Sequence, residues 1–396
     1  MRTAGPAKHG KEPAPGRSDA KRSAPPSFAA GPTRRALLAL PLAILAAPAI
    51  AQTRRRRPIE GDMRIGLMLT GIADDHGRGA GHVAAMRAAI ASIGGRASLN
   101  VMERVGGHLD AERVATRLAR EGHHLVVATN ALHEAGVLEA ARRYPNVLFE
   151  LAGMGAAADN VSTFDVRAHE ARFVEGAIAA RVGRRGPIGF VGTTRVPEVH
   201  RAVNAFVAGA RSVRADASVH VAWAGAWFDP WAEAEAARRL IARGCEVLAH
   251  HTDTPAPLQV AEQRGLRGFG HGADMGRFAP NAQMTAAIHD WSVHYSRRVM
   301  VALNGTWEPS ATIGGLVDGM LALAPYANMP PQALAAARAA EAAVRADPTL
   351  PFRGPIRDTL GQERVAAGAT LDEAALATMD WFAAGVLDNT LEAPRA

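Results

Sequence analysis

From residue 63 onward, short apolar runs alternate with longer segments whose apolar positions recur at helical spacing. The short runs predict strands at 63–70, 99–105, 124–130, 146–152, 161–166, 186–192, 219–226, 246–250, 267–270 and 283–288. The longer ones predict helices at 83–90, 111–121, 134–143, 169–182, 199–213, 231–243, 258–264, 291–303 and 330–347. In the helix at 169–182, Phe173, Ala177 and Ile178 share one side, and the Arg and Glu residues lie mainly elsewhere. Strands that alternate with helices of this length argue for parallel β–α–β units. The alternation forms two blocks, divided near residue 185. The expected fold is therefore α/β, with two lobes each built on a parallel sheet. Residues 63–185 would form the first lobe and 186–290 the second. Residues 291–330 would cross back and return, and 331–396 would form a C-terminal helix and tail.

In an open parallel sheet the carboxyl ends of the strands face a ligand crevice. Three such ends in the second block are rich in polar and aromatic residues: Trp223 to Pro230, Cys245 to Pro257, and Gly270 to Met275. Aromatics, hydrogen-bonding side chains and carboxylates converging on one edge suit a flat, polar small molecule. Of Trp227 and Phe228, one can face the cleft while the other packs inward. Asp229 precedes Pro230 at a helix start, which reads as an N-cap.

The loop at 71–82 contains Gly77-Arg78-Gly79-Ala80-Gly81-His82 between a strand and a helix. A dinucleotide fingerprint needs glycine where His82 stands, and the next strand has no acid at its end, Glu103 lying within it. No nicotinamide cofactor is expected. The preferred reading is a loop over a helix N-terminus whose N–H groups face a ligand; the alternative is a plain β–α turn. The histidines lack metal spacing. His289 and His294 are five apart, and His250 and His251, adjacent on a strand, point to opposite faces. His251 and Asp253 read better as pocket wall, and no metal is expected. There is no Gly-x-Ser-x-Gly, and the one cysteine, Cys245, lies in an apolar run. Asp229, Asp253, Asp274 and Asp290 leave open a hydrolase with paired carboxylates.

Charge changes the picture at one place only. The formal net charge is +7, but eight Lys/Arg against two acids in residues 1–51 account for six of it, leaving +1 for 52–396. The body thus offers no nucleic-acid surface. The leader carries Thr33-Arg34-Arg35-Ala36-Leu37-Leu38, an apolar run to Ile50, and Ala49-Ile50-Ala51 before Gln52. This reads as a twin-arginine export signal with a small-x-small cleavage site, followed by a basic spacer at 52–62. A membrane anchor is the alternative, but the run is short for a span. No cysteine sits at the cleavage site, so no lipidation is expected, and one cysteine permits no internal disulfide. The expected product is an unlipidated periplasmic protein.

Several longer motifs point further: Val196-Pro197-Glu198-Val199 with Asn204-Ala205-Phe206; Ala226-Trp227-Phe228-Asp229-Pro230; and His251-Thr252-Asp253-Thr254-Pro255-Ala256-Pro257. Gly305-Thr306-Trp307, Gly315-Leu316-Val317-Asp318-Gly319 and Met379-Asp380-Trp381 complete the set. With them the chain, from about 63 to 387, resembles the Basic Membrane Protein family of ABC-transporter solute-binding proteins, in its non-lipidated branch associated with purine bases. The resemblance implies two Rossmann-like lobes joined by a multi-strand hinge, of the type I periplasmic binding protein kind, closing on a ligand. It implies an ABC permease as partner, no cofactor, no catalysis and a monomer. It places Trp227 against the base, with Asp274, His251, Asp253 and the first-lobe residues Asp75, His76, Gly77 and His82 around the ligand. Where the branch has aromatics, this chain has Arg78 and Ala80. Arg78 would then stack on a ring or pair with an anionic ligand such as a urate- or xanthine-like oxopurine. The alternatives are an exported nucleoside hydrolase and a sensory protein that presents ligand to a receptor.

Overall fold

A computed structural model describes residues 56–155, 157–183 and 186–388. The expected leader lies outside them. The first block runs β1 (Met63–Met68), α1 (Arg78–Ser92), β2 (Ala97–Met102), α2 (His108–Arg120), β3 (Leu125–Ala128), α3 (Glu134–Arg143), β4 (Leu148–Ala152) and β5 (Val161–Val166). The second runs α4 (Ala168–Val182), β6 (Ile188–Gly192), α5 (Pro197–Val213), β7 (Val219–Trp223), α6 (Pro230–Ala242), β8 (Val247–His251), α7 (Ala256–Gln263), β9 (Arg267–Gly272) and β10 (Gln283–His289). The chain continues with α8 (Ser292–Leu303), β11 (Ala311–Gly314), β12 (Leu321–Leu323), α9 (Pro331–Ala346), β13 (Ile356–Arg357), β14 (Glu363–Val365), α10 (Glu373–Ala377) and β15 (Val386–Asp388).

The first sheet has the order β2-β1-β3-β4-β5-β11, with every pair parallel. The second has the order β15-β7-β6-β8-β9-β10-β12, parallel except for the antiparallel β10–β12 edge. Both cores repeat the doubly wound order 2-1-3-4-5, whose switch point lies between the first and third strands. Here that is between β1 and β3 in one lobe, and between β6 and β8 in the other. Continuous apolar strands such as β3 and β6 are buried along their whole length, as a sheet covered on both faces requires.

The chain passes between the lobes three times. After β5, helix α4 packs on α5 and α9 of the second lobe, ahead of the boundary expected at 185. After β10, α8 returns to pack on α1, and β11 extends the first sheet. After β11, β12 rejoins the second sheet. Helices α4 and α5 meet backbone to backbone. A β carbon on Gly176 would lie 2.0 Å from the Phe206 carbonyl oxygen, and one on Gly209 would lie 1.9 Å from that of Phe173. The 12-residue α8 and the segment after it are anchored by Glu150 of β4, which is fully buried. It accepts from Arg298 Nε at 2.6 Å, Trp307 Nε1 at 2.7 Å and His294 Nε2 at 3.1 Å.

Candidate functional site

The switch points of the two lobes face each other. Between them lies a cleft of about 400 Å³, lined by Asn130, Glu134 and Asp165 from the first lobe and by Glu198, Arg201 and Trp227 from the second. Asn130, Asp165 and Trp227 stand at or just beyond strand ends, and Glu134, Glu198 and Arg201 lie in the first turns of the helices that follow. A four-residue loop after β6 leads to Pro197, which opens α5 and puts Glu198 in the first helical turn, at the mouth of the second sheet. The Asn130 side chain accepts from Leu132 N–H at 2.9 Å, while its buried amide nitrogen has no hydrogen-bond partner within the chain.

Beside the cleft, Arg78 crosses from the first lobe to the second. Its guanidinium carbon lies 4.3 Å from the centroid of the Trp227 ring. Nη1 donates to Glu198 Oε1 at 3.1 Å, and Nε lies 3.5 Å from Asp253 Oδ1. His251 Nε2 lies 3.1 Å from the same Glu198 oxygen, so a neutral His251 donates from Nε2. Burial opposes charge on Glu198, but Arg78 and His251 outweigh it and hold the carboxyl well below the usual range. Burial lowers His251 to about 4 and raises Asp253 to about 8, although Arg78 is adjacent. The guanidinium lies between the two acids, and Glu198 takes the shorter contact.

The nine residues expected at the site do not all meet. Arg78, Trp227, His251 and Asp253 form the cluster just described. Gly77 stands directly against it. His76, in a left-handed conformation (φ 62°), joins the lobes at the rim, 4.8 Å from the Phe278 ring and 3.1 Å from Arg277 Nη2. Asp75 serves the backbone instead. It accepts from Gly77, Gly79 and Ala80 N–H at 2.7–2.9 Å, closing the first turn of α1. The helix N–H groups expected to face a ligand are thereby partly taken by Asp75, and α1 begins at Arg78 rather than 83. His82 packs inside, stacked 4.5 Å from Trp291 and 2.7 Å from the Tyr295 hydroxyl. Asp274 is exposed and holds a turn, accepting from Gly276 N–H at 2.9 Å and Gln283 Nε2 at 2.6 Å.

Other expectations resolve in the same way. Asp229 caps α6 by accepting from Ala232 N–H at 3.0 Å, and Asp290 accepts from Ser292 N–H at 3.0 Å. Phe228 does not pack inward: it lies against Gly71 and Arg104 of the first lobe. Burial pushes the Cys245 thiol up to about 12, far from a nucleophile's range. Among the described residues, no group of three or more His, Cys, Asp or Glu is placed to hold a metal ion. No described helix is long and apolar enough to cross a membrane. Glu198, Asp165 and Asn130 were not singled out from the sequence, though Glu198 lies inside the Val-Pro-Glu-Val motif.

Residues 63–341 match the family model of PnrA-like ABC transporter substrate-binding proteins. The chain is 36% identical over 330 residues to a purine-binding protein of Brucella abortus, covering 83% of this chain and 94% of that one. It is 33% identical over 211 residues to a putative ABC transporter glucose-binding protein of Haloferax volcanii, covering 53% and 54% of the two chains. Among solved structures, an ABC transporter solute-binding protein of Aeropyrum pernix is similar with a TM-score of 0.65 at 15% identity, covering 76% of this chain and 94% of that one. One from Conexibacter woesei gives 0.58 at 21%, covering 72% and 96%. These likenesses carry the two-lobed α/β fold.

Proposed function

We propose that this chain, which belongs to the Bmp family of PnrA-like ABC transporter substrate-binding proteins, captures a purine base or nucleoside between its lobes and hands it to its permease. The cleft carries the reading. Its volume of about 400 Å³ falls within the range of small-molecule sites, and both lobes line it. A ligand held from both sides makes its full contacts only when the lobes are closed, so it shifts the population toward the closed form. Trp227 supplies a planar face, and Asn130, Glu134, Asp165 and Glu198 supply partners for ring N–H groups and ribose hydroxyls. The purine-binding relative from Brucella abortus supports the same class.

We read residues 1–51 as a twin-arginine signal and the exported product as an unlipidated monomer. The hydrolase alternative draws no support from the carboxylates first considered for it. Asp229, Asp274 and Asp290 each hold local backbone, and Asp253 alone faces the cluster. Native mass spectrometry of the purified chain, with purines, nucleosides, oxopurines and glucose, tests the proposal. One purine or nucleoside bound per chain and released unchanged is expected. Binding of glucose alone, or release of a cleaved nucleoside, overturns it.

A further inference from the structure

We propose that Arg78 is a resident occupant of the ring slot on Trp227, that ligand uptake is therefore an exchange, and that the incoming molecule carries an amidine edge. A 2-amino-6-oxopurine has such an edge, with N–H groups side by side in the ring plane. The inference rests on the purine reading above and names the ligand class within it.

At 4.3 Å the guanidinium sits in direct contact with the indole. Aromatic pairs themselves stand about 4.5–7 Å apart, so no ring fits between Arg78 and Trp227. The two side chains come from opposite lobes, and the lobes are closed on Arg78 itself. What holds the guanidinium also describes what would replace it. One face lies on an indole, one N–H edge meets Glu198 at 3.1 Å, and another N–H approaches Asp253 at 3.5 Å. Nη2 is buried without a hydrogen-bond partner within the chain. A planar guanidinium and the N1–H, C2–NH2 edge of a 2-amino-6-oxopurine present the same in-plane donors to a carboxylate.

Charge narrows the class. The Asp253 side chain is 2% exposed and that of Glu198 21%. If Arg78 withdrew without a substitute, two largely buried acids would face each other, and Asp165 stands nearby, 3.2 Å from Arg201. The substitute must therefore bring donors. An anionic oxopurine would bring negative charge to the Glu198 carboxylate, which opposes its binding in this slot. The exchange leaves the backbone in place, because Asp75 fixes the first turn of α1 independently of the Arg78 side chain.

The test compares the wild-type full chain with Arg78→Ala, and with Arg78→Gln should the alanine variant unfold. Methylguanidinium, followed by tryptophan fluorescence, serves as a probe free of any purine assumption. It is expected to bind one-to-one to R78A at millimolar concentration and not to wild type. Guanosine is expected to bind R78A on the order of 10-fold more tightly than wild type, because the slot is no longer filled. It is also expected to bind more tightly than inosine or xanthosine. If methylguanidinium binds R78A but no purine or nucleoside binds either protein, the exchange stands and the ligand class falls. If methylguanidinium fails to bind and R78A loses purine affinity, Arg78 is a direct ligand contact and the exchange is overturned.

Discussion

Gly77 and Asp253 touch across the lobes: a β carbon on Gly77 would stand 2.2 Å from the Asp253 carbonyl oxygen and 3.2 Å from Met275 Cε. No flexible side chain can yield there, since the nearer atom is backbone. Glycine at 77 is thus required by the contact between the lobes in this structure and by neither lobe by itself. Gly77→Ala is expected to keep a native circular dichroism spectrum while losing ligand affinity on the order of 10-fold or more, because the binding-competent form is depopulated. Small-angle scattering should show a larger radius of gyration with ligand present. Unchanged affinity and an unchanged radius would remove this contact from the closing mechanism.

Among the described residues, Trp227 is the one aromatic lining the cleft from the second lobe, and it also packs into that lobe's core. Trp227→Leu keeps much of the apolar volume and removes the ring. Loss of a stack of about 0.5–1.5 kcal/mol should weaken purine binding roughly 2- to 12-fold. Trp227→Phe should recover part of that loss. Calorimetric titration reads both, and equal affinities for all three proteins would place the ligand elsewhere.

Acid should unfold this protein early. Burial lowers His133 and His251 from 6.5 to about 4, and His169, His250 and His289 to about 3. Each ring takes its proton more readily in the unfolded chain. Their stabilising contribution is therefore complete above about pH 6.5 and is lost as pH falls toward 4 and 3. Burial acts the other way on Glu175 and Glu233, both raised to about 6, and on Asp253, raised to about 8. Those groups favour the folded form at low pH and lose that contribution as pH rises. The histidines are more numerous, so the net loss is on the acid side. Calorimetric Tm should fall clearly between about pH 7 and about pH 4.5; a flat profile would contradict the neutral state of the buried rings.

Glu150 makes a different prediction, about stability and not binding. It is the common acceptor for Arg298, Trp307 and His294. Glu150→Ala leaves a buried guanidinium without its counter-charge, which should cost about 3–5 kcal/mol in urea unfolding. Glu150→Gln, which retains an acceptor oxygen, should cost less. A loss in Glu150→Ala no larger than that of a surface substitution would show that water or another group replaces the carboxylate.

The alternation of elements was legible because a sheet covered on both faces needs apolar strands, and its helices need one apolar side. Short additions were not: β11 and β15 are four and three residues long and take their state from the edges they join. In the candidate cluster, the convergence of Trp227, His251 and Asp253 was readable from their strand-end positions. Asp75 and Asp274 looked equivalent to Asp253 in sequence, yet each lies two residues before a backbone N–H that it binds. Such local bonds form without reference to a cleft. Glu198 was hidden for the converse reason. A Glu after Pro at a helix start reads as ordinary first-turn charge, and only the facing lobe brings Arg78 to it.

The three passages of the chain between the sheets also limit the ways in which the lobes can part. A single tether would permit swivelling as well as tilting. With three, swivelling shears the tethers against one another, whereas tilting bends them together. For the lobe closure proposed above, the three passages would act as a flexure with three leaves. The protein's two outer rims should return to the same register at each closure, giving a permease one reproducible shape by which to tell a loaded carrier from an empty one.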